Sequence, residues 1–188
     1  VATVNEDVSF GGLNLQVADD AGANLLEVTI NVVNGSISLP TGSVTVLTGG
    51  SGTSAITFEG TVADINTALN SFTFSPDTDF NGLAEIQVTV DDRGNTGTGG
   101  PYSVSETLYV EVLPVNDTPV VSGPGSAYSF TEQGSLNIHG TGFSVADVDD
   151  NGGTMTATFT VGEGRVLIDV GDSAVSVTRG NSTDTVVF

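Results

Sequence analysis

The stretch Leu26-Glu27-Val28-Thr29-Ile30-Asn31-Val32-Val33 decides the fold class. Its aliphatic residues alternate with polar ones, so an extended backbone presents one apolar face and one wet face. The same alternation occurs over residues 85–90 and 107–112, and in the second half over 156–161 and 165–170. Each segment is predicted to be a half-buried strand of an antiparallel sheet. Asn34-Gly35 directly follows the first stretch and predicts a type I′ hairpin turn.

One segment departs from the period of two. Between Thr61 and Leu69 the apolar residues are Val62, Ile65 and Leu69, which is helical spacing. Thr61 is a suitable N-cap, and Asp64 in the first turn suits the positive end of a helix. We predict a helix of about two turns across the open end of a sandwich. The many short strands and this one helix predict an all-β chain built as an antiparallel sandwich.

An internal repeat predicts the domain organisation. Val17-Ala18-Asp19 recurs as Val145-Ala146-Asp147 at an offset of 128 residues, and 55–58 corresponds to 185–188 at an offset of 130. The repeat unit is therefore about 120 to 130 residues long, which is typical of a chain of separate domains. Two prolines stiffen the segment 114–119 between the units. The predicted domains are residues 1–116, a nearly complete repeat, and residues 117–188, the first half of a second one.

The second unit stops at the position that corresponds to Phe58 in the first. Half a sandwich leaves a strand edge and an apolar face uncovered. Two interpretations remain open. Either the unit is truncated and only partly ordered, or another chain completes it by adding a strand.

Charge excludes several functional classes. The 188 residues include 23 acidic and only 3 basic side chains, all of them arginine, for a formal net charge of -20. Nucleic acids and anionic membrane surfaces both require a basic face, so neither is an expected partner. No apolar run approaches the roughly 18 residues that span a membrane. The absence of cysteine excludes disulfides and zinc–thiolate sites. The sequence shows no signal peptide at Val1.

The acidic residues cluster beside glycines at the predicted ends of the units. Residues 147–152, Asp-Val-Asp-Asp-Asn-Gly, place oxygen ligands on alternate positions and then a glycine, as in the first half of a calcium loop. Thr158 stands where an EF-hand requires a bidentate glutamate, so the remaining ligands must come from elsewhere. Other clusters are 5–7, 77–79, 91–92 and 116–117, and Asp19-Asp20 matches the 147–150 segment in the first unit. A hard divalent cation would turn their mutual repulsion into attraction, and calcium accepts loose geometry from several loops.

Several segments in this order resemble the cadherin-like (Ig-like) tandem repeats of giant bacterial surface adhesins, including RTX-type biofilm adhesins. The segments are Val4-Asn5-Glu6-Asp7, 61–69 with Asp64-Ile65-Asn66, 75–82 (Ser-Pro-Asp-Thr-Asp-Phe-Asn-Gly), 90–97 (Val-Asp-Asp-Arg-Gly-Asn-Thr-Gly) and 114–119 (Pro-Val-Asn-Asp-Thr-Pro). The resemblance covers the whole first unit and the surviving half of the second. It implies tandem Greek-key β-sandwiches of the cadherin/Ig-like type, with one short helix in the complete repeat.

The resemblance also implies a set of calcium ligands. In such repeats the site at the domain junction is built from both domains and the linker. Position by position this implies Glu6, Asp77 and Asp79 from the first unit, Asn116 and Asp117 from the linker, and Asp147 and Asp149 from the second unit. Asp19, Asp20 and Asp91 would face a domain that precedes Val1. Proline replaces the first aspartate of the cadherin linker, so we expect one or two Ca²⁺ ions rather than three.

No catalytic set stands out. His139 is the only histidine and lies next to Gly140, so a turn or strand end is its expected place rather than general-base catalysis. The acidic pairs lie beside glycines at domain ends, not in a desolvated pocket, so we expect no enzyme activity. The expected function is that of a calcium-stiffened extracellular spacer in a bacterial adhesin, acting in cell adhesion or a biofilm matrix. Its expected partners are adjacent repeats of the same protein.

Two alternatives remain. The chain is a subunit of a self-assembling extracellular fibre if a neighbouring chain completes the second unit. It is a carbohydrate-binding module if Tyr102, Tyr109 and Tyr128 form a platform for sugars, although tryptophan is absent.

Overall fold

The computed structural model describes residues 1–95, 98–123, 125, 128–129, 131–137, 142–150, 152–163, 165, 167 and 185–187. The chain divides into two compact units, Val1–Val115 and Asn116–Phe188. Within the described residues it is mostly β-sheet with one helix. The strands and the helix are β1 (Ala2–Asn5), β2 (Phe10–Gly11), β3 (Leu26–Val33), β4 (Gly35–Ser38), β5 (Thr45–Gly49), β6 (Ala55–Gly60), α1 (Val62–Leu69), β7 (Thr73–Pro76), β8 (Gly82–Asp91), β9 (Ser103–Leu113), β10 (Val120–Ser122), β11 (Ser144–Ala146), β12 (Thr158–Thr160) and β13 (Thr185–Val187).

The first unit has the layers of an all-β sandwich. A six-stranded sheet has the order β1-β9-β8-β3-β6-β5, and a three-stranded sheet has the order β2-β7-β4. The strand pairs are antiparallel except β1 and β9, which run parallel. The alternation in Leu26–Val33 sends Leu26, Val28, Ile30 and Val32 into the core, as the sequence predicts. The opposite face of β3 carries the polar residues.

The core of the first unit consists of aliphatic and phenylalanine side chains from both sheets and from α1. Phe58 on β6 and Phe74 on β7 are both fully buried. Ile65, Ala68 and Leu69 on α1 are buried in the same cluster. Because the two phenylalanines come from different sheets, they help to hold the two layers together.

Asn34-Gly35 does not form the predicted hairpin. The chain leaves the six-stranded sheet at Val33 and enters the three-stranded sheet at Gly35, where β4 pairs with β7 rather than with β3. Asn34 adopts a left-handed conformation with φ of 64°. Asn34, which the sequence places in a hairpin turn, therefore lies at the point where the chain passes from the large sheet to the small one.

Helix α1 begins as the sequence predicts. Thr61 is the N-cap, and its hydroxyl accepts a hydrogen bond from the backbone N–H of Asp64 at 3.2 Å. The same hydroxyl donates to the Asp64 carboxylate at 2.6 Å, so the cap and the first turn are bound to each other. The helix follows β6 of one sheet and precedes β7 of the other.

Asn66 on α1 holds an extended segment that belongs to neither sheet. Its carbonyl oxygen accepts from the Val17 N–H at 2.8 Å, and its amide donates to the Val17 carbonyl at 2.9 Å. Residues 13–18 alternate between half-buried and exposed side chains, as in a strand, but contain no assigned strand. The Asn66 amide group therefore takes the place of a neighbouring strand.

Replacing Asn66 by alanine is expected to lower the free energy of unfolding by about 2 kcal/mol. Two hydrogen bonds are lost at about 1 kcal/mol each, because the backbone N–H and the backbone C=O of Val17 both lose their Asn66 partner. Urea unfolding followed by circular dichroism measures the change. Asn70→Ala, at an exposed position just after the same helix, is the control. Equal losses in both variants would contradict this role for Asn66.

The second unit shows two short antiparallel pairs, β10 with β11 and β12 with β13. In the first unit Thr29, Ile30 and Asn31 pair with Thr57, Ile56 and Ala55. An offset of 129 residues carries the β3 positions to 158–160, and the offset of 130 residues carries the β6 positions to 187–185. These are the paired residues of β12 and β13. The sequence repeat thus coincides with a repeated strand pairing. The predicted strand 165–170, apart from positions 165 and 167, and His139 lie outside the described residues.

Candidate functional site: acidic groups beside the linker

Glu6 is the buried acidic residue of the first unit. Its side chain is 3% exposed, and its carboxylate accepts a hydrogen bond from the backbone N–H of Val115. Its own N–H donates to the Leu113 carbonyl at 2.9 Å. Since the pairing of β1 with β9 ends at Leu113, the Glu6 side chain extends that pairing to the last residue of the unit. Sequence reasoning selected Glu6 as a ligand, and the structure places it at the linker.

Asp7 and Asp79 form a close pair of carboxylates at this same end of the first unit. The backbone N–H of Asp79 donates to the Asp7 carboxylate at 3.2 Å, and oxygens of the two side chains lie within 4.8 Å of each other. Both residues are exposed and both have positive φ, 57° and 58°. Two tight turns, one after β1 and one before β8, therefore bring these two carboxylates together.

Asp77 is the predicted ligand that stays outside this pair. It is exposed, its N–H donates to the Asn34 carbonyl at 3.3 Å, and its own carbonyl accepts from the Phe80 N–H at 3.1 Å. Its backbone thus forms the turn that presents Asp79. Asp7 lies beside Asp79, and Asp77 stays a predicted ligand. The signal for Asp7 was the acidic run Asn5-Glu6-Asp7.

The second unit carries its own acidic group at its start. The Asp117 N–H donates to the Asp149 carboxylate at 2.5 Å, and oxygens of these two carboxylates lie within 4.8 Å of each other. The Asp149 N–H in turn donates to the Asp147 carboxylate at 3.0 Å. Asp147 therefore uses its side chain to close the turn that presents Asp149. The Asn116 amide donates to the Asp117 carbonyl at 3.0 Å.

Asp150 extends the acidic group of the second unit. One of its carboxylate oxygens is buried and, among the described residues, has no hydrogen-bond partner. Buried carboxylate oxygens are normally satisfied by a donor, a water molecule or an ion. Asp150 was part of the acidic loop noted in the sequence but was not selected as a ligand.

Like charges at these separations repel. Two carboxylates about 4.8 Å apart cost about 1 kcal/mol in bulk water and about 3 kcal/mol at the effective dielectric of 20 that is typical near a protein surface. The backbone N–H donors offset part of this cost, because each contributes a positive dipole. A bound cation would offset the rest, and oxygen-only donors of this kind are those that calcium and magnesium prefer.

Asp19, Asp20 and Asp91 lie away from the linker end of the first unit. Asp91 ends β8 and Gly82 begins it, so about 30 Å of strand separates Asp91 from the Asp79 end. The Asp19 carboxylate accepts from the Ala21 N–H, and the Asp91 carboxylate accepts from the Arg93 N–H, each at 2.7 Å. Within the described part of the chain these three carboxylates do not form a group within 4.8 Å of one another.

The Asp92 carboxylate organises the β8–β9 turn. Hydrogen bonds from the backbone N–H groups of Gly94 and Tyr102 lower the pKa of Asp92 from its ordinary value. The Asp92 N–H also donates to the Tyr102 carbonyl at 3.0 Å. The carboxylate therefore stays ionised at neutral pH and fixes the point where β9 begins.

Arg93 compensates two acids that face each other across strands. Glu27 and Glu59 are directly opposite in the β3–β6 register, where like charges are destabilising. The Arg93 guanidinium contacts Glu27 at 2.7 Å and Glu59 at 2.5 Å. The hydrogen bonds that the guanidinium donates to Glu27, and then to Glu59, raise the pKa of Arg93 above its ordinary value. This basic residue therefore acts as a counter-ion of the sheet.

Comparison with known proteins found no protein-family model, no curated protein and no solved structure that matches the chain. In the described residues, no helix has the length and hydrophobicity needed to cross a membrane.

Proposed function

We propose that this chain is a calcium-binding spacer of an extracellular bacterial adhesin, built from tandem Greek-key sandwiches of the cadherin-like type. One observation carries the proposal: each unit holds a pair of carboxylates within 4.8 Å of each other beside the linker. A backbone N–H group donates to one carboxylate of each pair, that of Asp79 to Asp7 and that of Asp117 to Asp149. Such an arrangement is costly without a cation and favourable with one.

The ligand chemistry supports a hard cation. The first unit offers carboxylate oxygens of Glu6, Asp7 and Asp79, and the second those of Asp117 and Asp149. Thiolates are absent from the chain, which removes the donors that select zinc or copper. Calcium accepts six to eight oxygens in flexible geometry, whereas magnesium requires a tighter octahedron. Calcium therefore suits exposed turns that supply one carboxylate each.

Chain connectivity supports ligands from both sides of the linker. Only Asn116 separates Val115, whose N–H binds Glu6, from Asp117. Consecutive Cα atoms are about 3.8 Å apart, so Asp117 has its Cα within about 7.6 Å of that of Val115. Cations bound at Glu6 in the first unit and at Asp117 in the second would each restrain the backbone next to Asn116, in a linker to which Pro114 and Pro119 already give stiffness.

The biological role follows from this restriction. A row of repeats joined by calcium-bound linkers behaves as a stiff rod and would hold an adhesive tip away from the cell surface. Adjacent repeats of the same protein are the proposed partners, the location is extracellular, and the role is non-catalytic. Asp19, Asp20 and Asp91 stay predicted ligands for the opposite end of the first unit.

The ligand assignment predicts the effect of one neutralising substitution. Asp79→Asn removes a carboxylate but keeps the backbone N–H that binds Asp7. Calcium affinity measured by titration calorimetry is expected to fall at least about tenfold, or about 1.4 kcal/mol, while the melting temperature without calcium changes little. Glu111→Gln, which removes the same charge from an exposed position on β9, is the control. Equal loss of affinity in the two variants would exclude a specific site at Asp79.

A further inference from the structure

Two cavities border the first part of β9 in the first unit, and we call them together the groove. One cavity of about 320 Å³ lies between residues 15–19 and residues 102–106, and a second of about 420 Å³ lies between β2 and residues 107–109. The two cavities border consecutive parts of β9, from Tyr102 to Tyr109. Seven strand steps correspond to about 23 Å, which is the length of an extended peptide of seven or eight residues.

The floor of the groove is part of the core-facing side of the large sheet. Val90 and Val104 are directly opposite each other in the β8–β9 register, on the face that elsewhere carries buried Ala84, Ile86 and Val110. Yet Val104 is 68% exposed. An apolar position of the inner face is therefore left without a covering strand.

Both walls of the groove offer backbone groups for strand pairing. Asn66 binds the N–H and C=O of Val17 from the helix side. In an extended segment the backbone N–H and C=O groups of successive residues point to opposite sides. The N–H and C=O groups of Gln16 and Ala18 therefore point away from the helix. Within the described residues they have no hydrogen-bond partner. On the other wall, β1 pairs only with Val110–Leu113, so the outer edge of β9 before Val110 has no described neighbour.

The charge of the groove selects the occupant. Asp19, Asp92 and Glu106 all line the cavity of about 320 Å³, and none of its lining residues is basic. Glu106 lies opposite buried Val88 in register, so this carboxylate is on the inner face. A second copy of the chain is a poor occupant, because it has no lysine and only three arginines, of which Arg93 is held by two glutamates.

We propose that this groove binds an extended basic peptide segment of another protein by strand addition. Main-chain groups of the peptide pair with the Gln16 and Ala18 edge or with the open edge of β9. Alternate aliphatic side chains of the peptide cover Val90 and Val104, and a lysine or arginine of the peptide meets Asp19, Asp92 and Glu106 in the same cavity. The segment completes the sandwich in the place of a missing strand.

The experiment uses the full chain and an eight-residue peptide in which lysine and valine alternate, blocked at both ends and labelled with fluorescein. Fluorescence anisotropy at fixed calcium and salt measures binding. Glu106→Lys is expected to weaken binding at least about tenfold, and Glu111→Lys, the same charge reversal on the outer face of β9, by less than about twofold. A peptide N-methylated at alternate residues is expected to bind at least about tenfold more weakly, because it loses the backbone donors.

Four results would overturn the proposal. The first is no binding of the lysine–valine peptide to the unmodified chain. The second is an equal effect of both charge reversals, which would show attraction to the acidic surface as a whole. The third is undiminished binding of the N-methylated peptide, which would show that no strand is added. A glutamate–valine peptide that bound as well as the lysine–valine peptide would also contradict the charge selection.

Discussion

Replacing Gly35 by alanine is expected to destabilise the first unit by about 3 kcal/mol. A Cβ atom at this position would lie 2.4 Å from the ring of Phe74 and 2.6 Å from the backbone carbonyl oxygen of Ser75. Phe74 is fully buried and β4 is paired with β7 on both sides of this contact, so neither atom can withdraw without disturbing the small sheet. One methyl group thus forces either a ring shift in the core or a loss of strand pairing.

Gly42→Ala is the matched control for Gly35→Ala. A Cβ at Gly42 has nothing within 4 Å, and the residue is exposed. Alanine at such a position usually changes stability by less than about 1 kcal/mol, often upward, because it restricts the unfolded chain. Urea unfolding followed by far-UV circular dichroism compares both variants with the unmodified protein. A Gly35→Ala protein as stable as Gly42→Ala would show that the close approach of β4 and β7 is wrong.

Truncation of Phe58 to alanine is expected to cost about 3–5 kcal/mol. The ring is 0% exposed, and its strand β6 lies between β3 and β5 in the large sheet. Removing it leaves a cavity under the centre of the sandwich that surrounding strands cannot fill without breaking their register. A domain of this size has a total stability of only about 5–15 kcal/mol, so the variant is expected to be close to unfolding at room temperature.

Tyr109→Ala provides the comparison for Phe58→Ala. Tyr109 lies on the outer face of β9 and is 44% exposed, so its loss leaves no enclosed cavity. Its cost is expected to stay below about 1.5 kcal/mol. Urea unfolding measures the loss of stability in both variants. Equal losses for Tyr109→Ala and Phe58→Ala would mean that the core does not lie between these two sheets.

Local sequence signals predicted the individual elements well. The alternation in Leu26–Val33 fixed both the strand and the face that is buried, since the side-chain period of a strand is two. Thr61 and Asp64 fixed the start of the helix, because the cap requires only residues within one turn. These features depend on near neighbours in the chain, and therefore composition and spacing are sufficient to find them.

Partners that are distant in sequence escaped prediction. Asn34-Gly35 has the same local signal whether it closes a hairpin or moves the chain to another sheet, because both require a left-handed residue. What decides between them is that β4 pairs with β7, about 40 residues later. The close fit of Gly35 against Phe74 has the same origin and has no signature in the neighbouring sequence.

In the candidate site, too, features set by neighbouring residues were predicted and contacts between distant residues were not. The acidic runs were visible in the sequence, and Glu6, Asp79, Asp117 and Asp149 lie in the two groups beside the linker. The contact between Asp7 and Asp79 was not predictable, because it depends on which carboxylate the Asp79 backbone meets in a turn 72 residues away. Asp77 stays a predicted ligand. Asp147 likewise uses its carboxylate to close a turn, a role that the spacing alone does not separate from ligation.

The most direct test of calcium-dependent stiffening is the melting curve and small-angle scattering of the full chain with calcium and then with chelator. Calcium at 100 times its dissociation constant contributes about 2.7 kcal/mol, which raises the melting temperature of a domain of about 100 residues by about 10–20 °C. We expect this increase together with a longer or stiffer particle, and a smaller effect of magnesium at equal ionic strength. If calcium changes neither quantity beyond the effect of sodium at matched ionic strength, the acidic residues are a solvated surface and the chain is not a calcium-stiffened spacer.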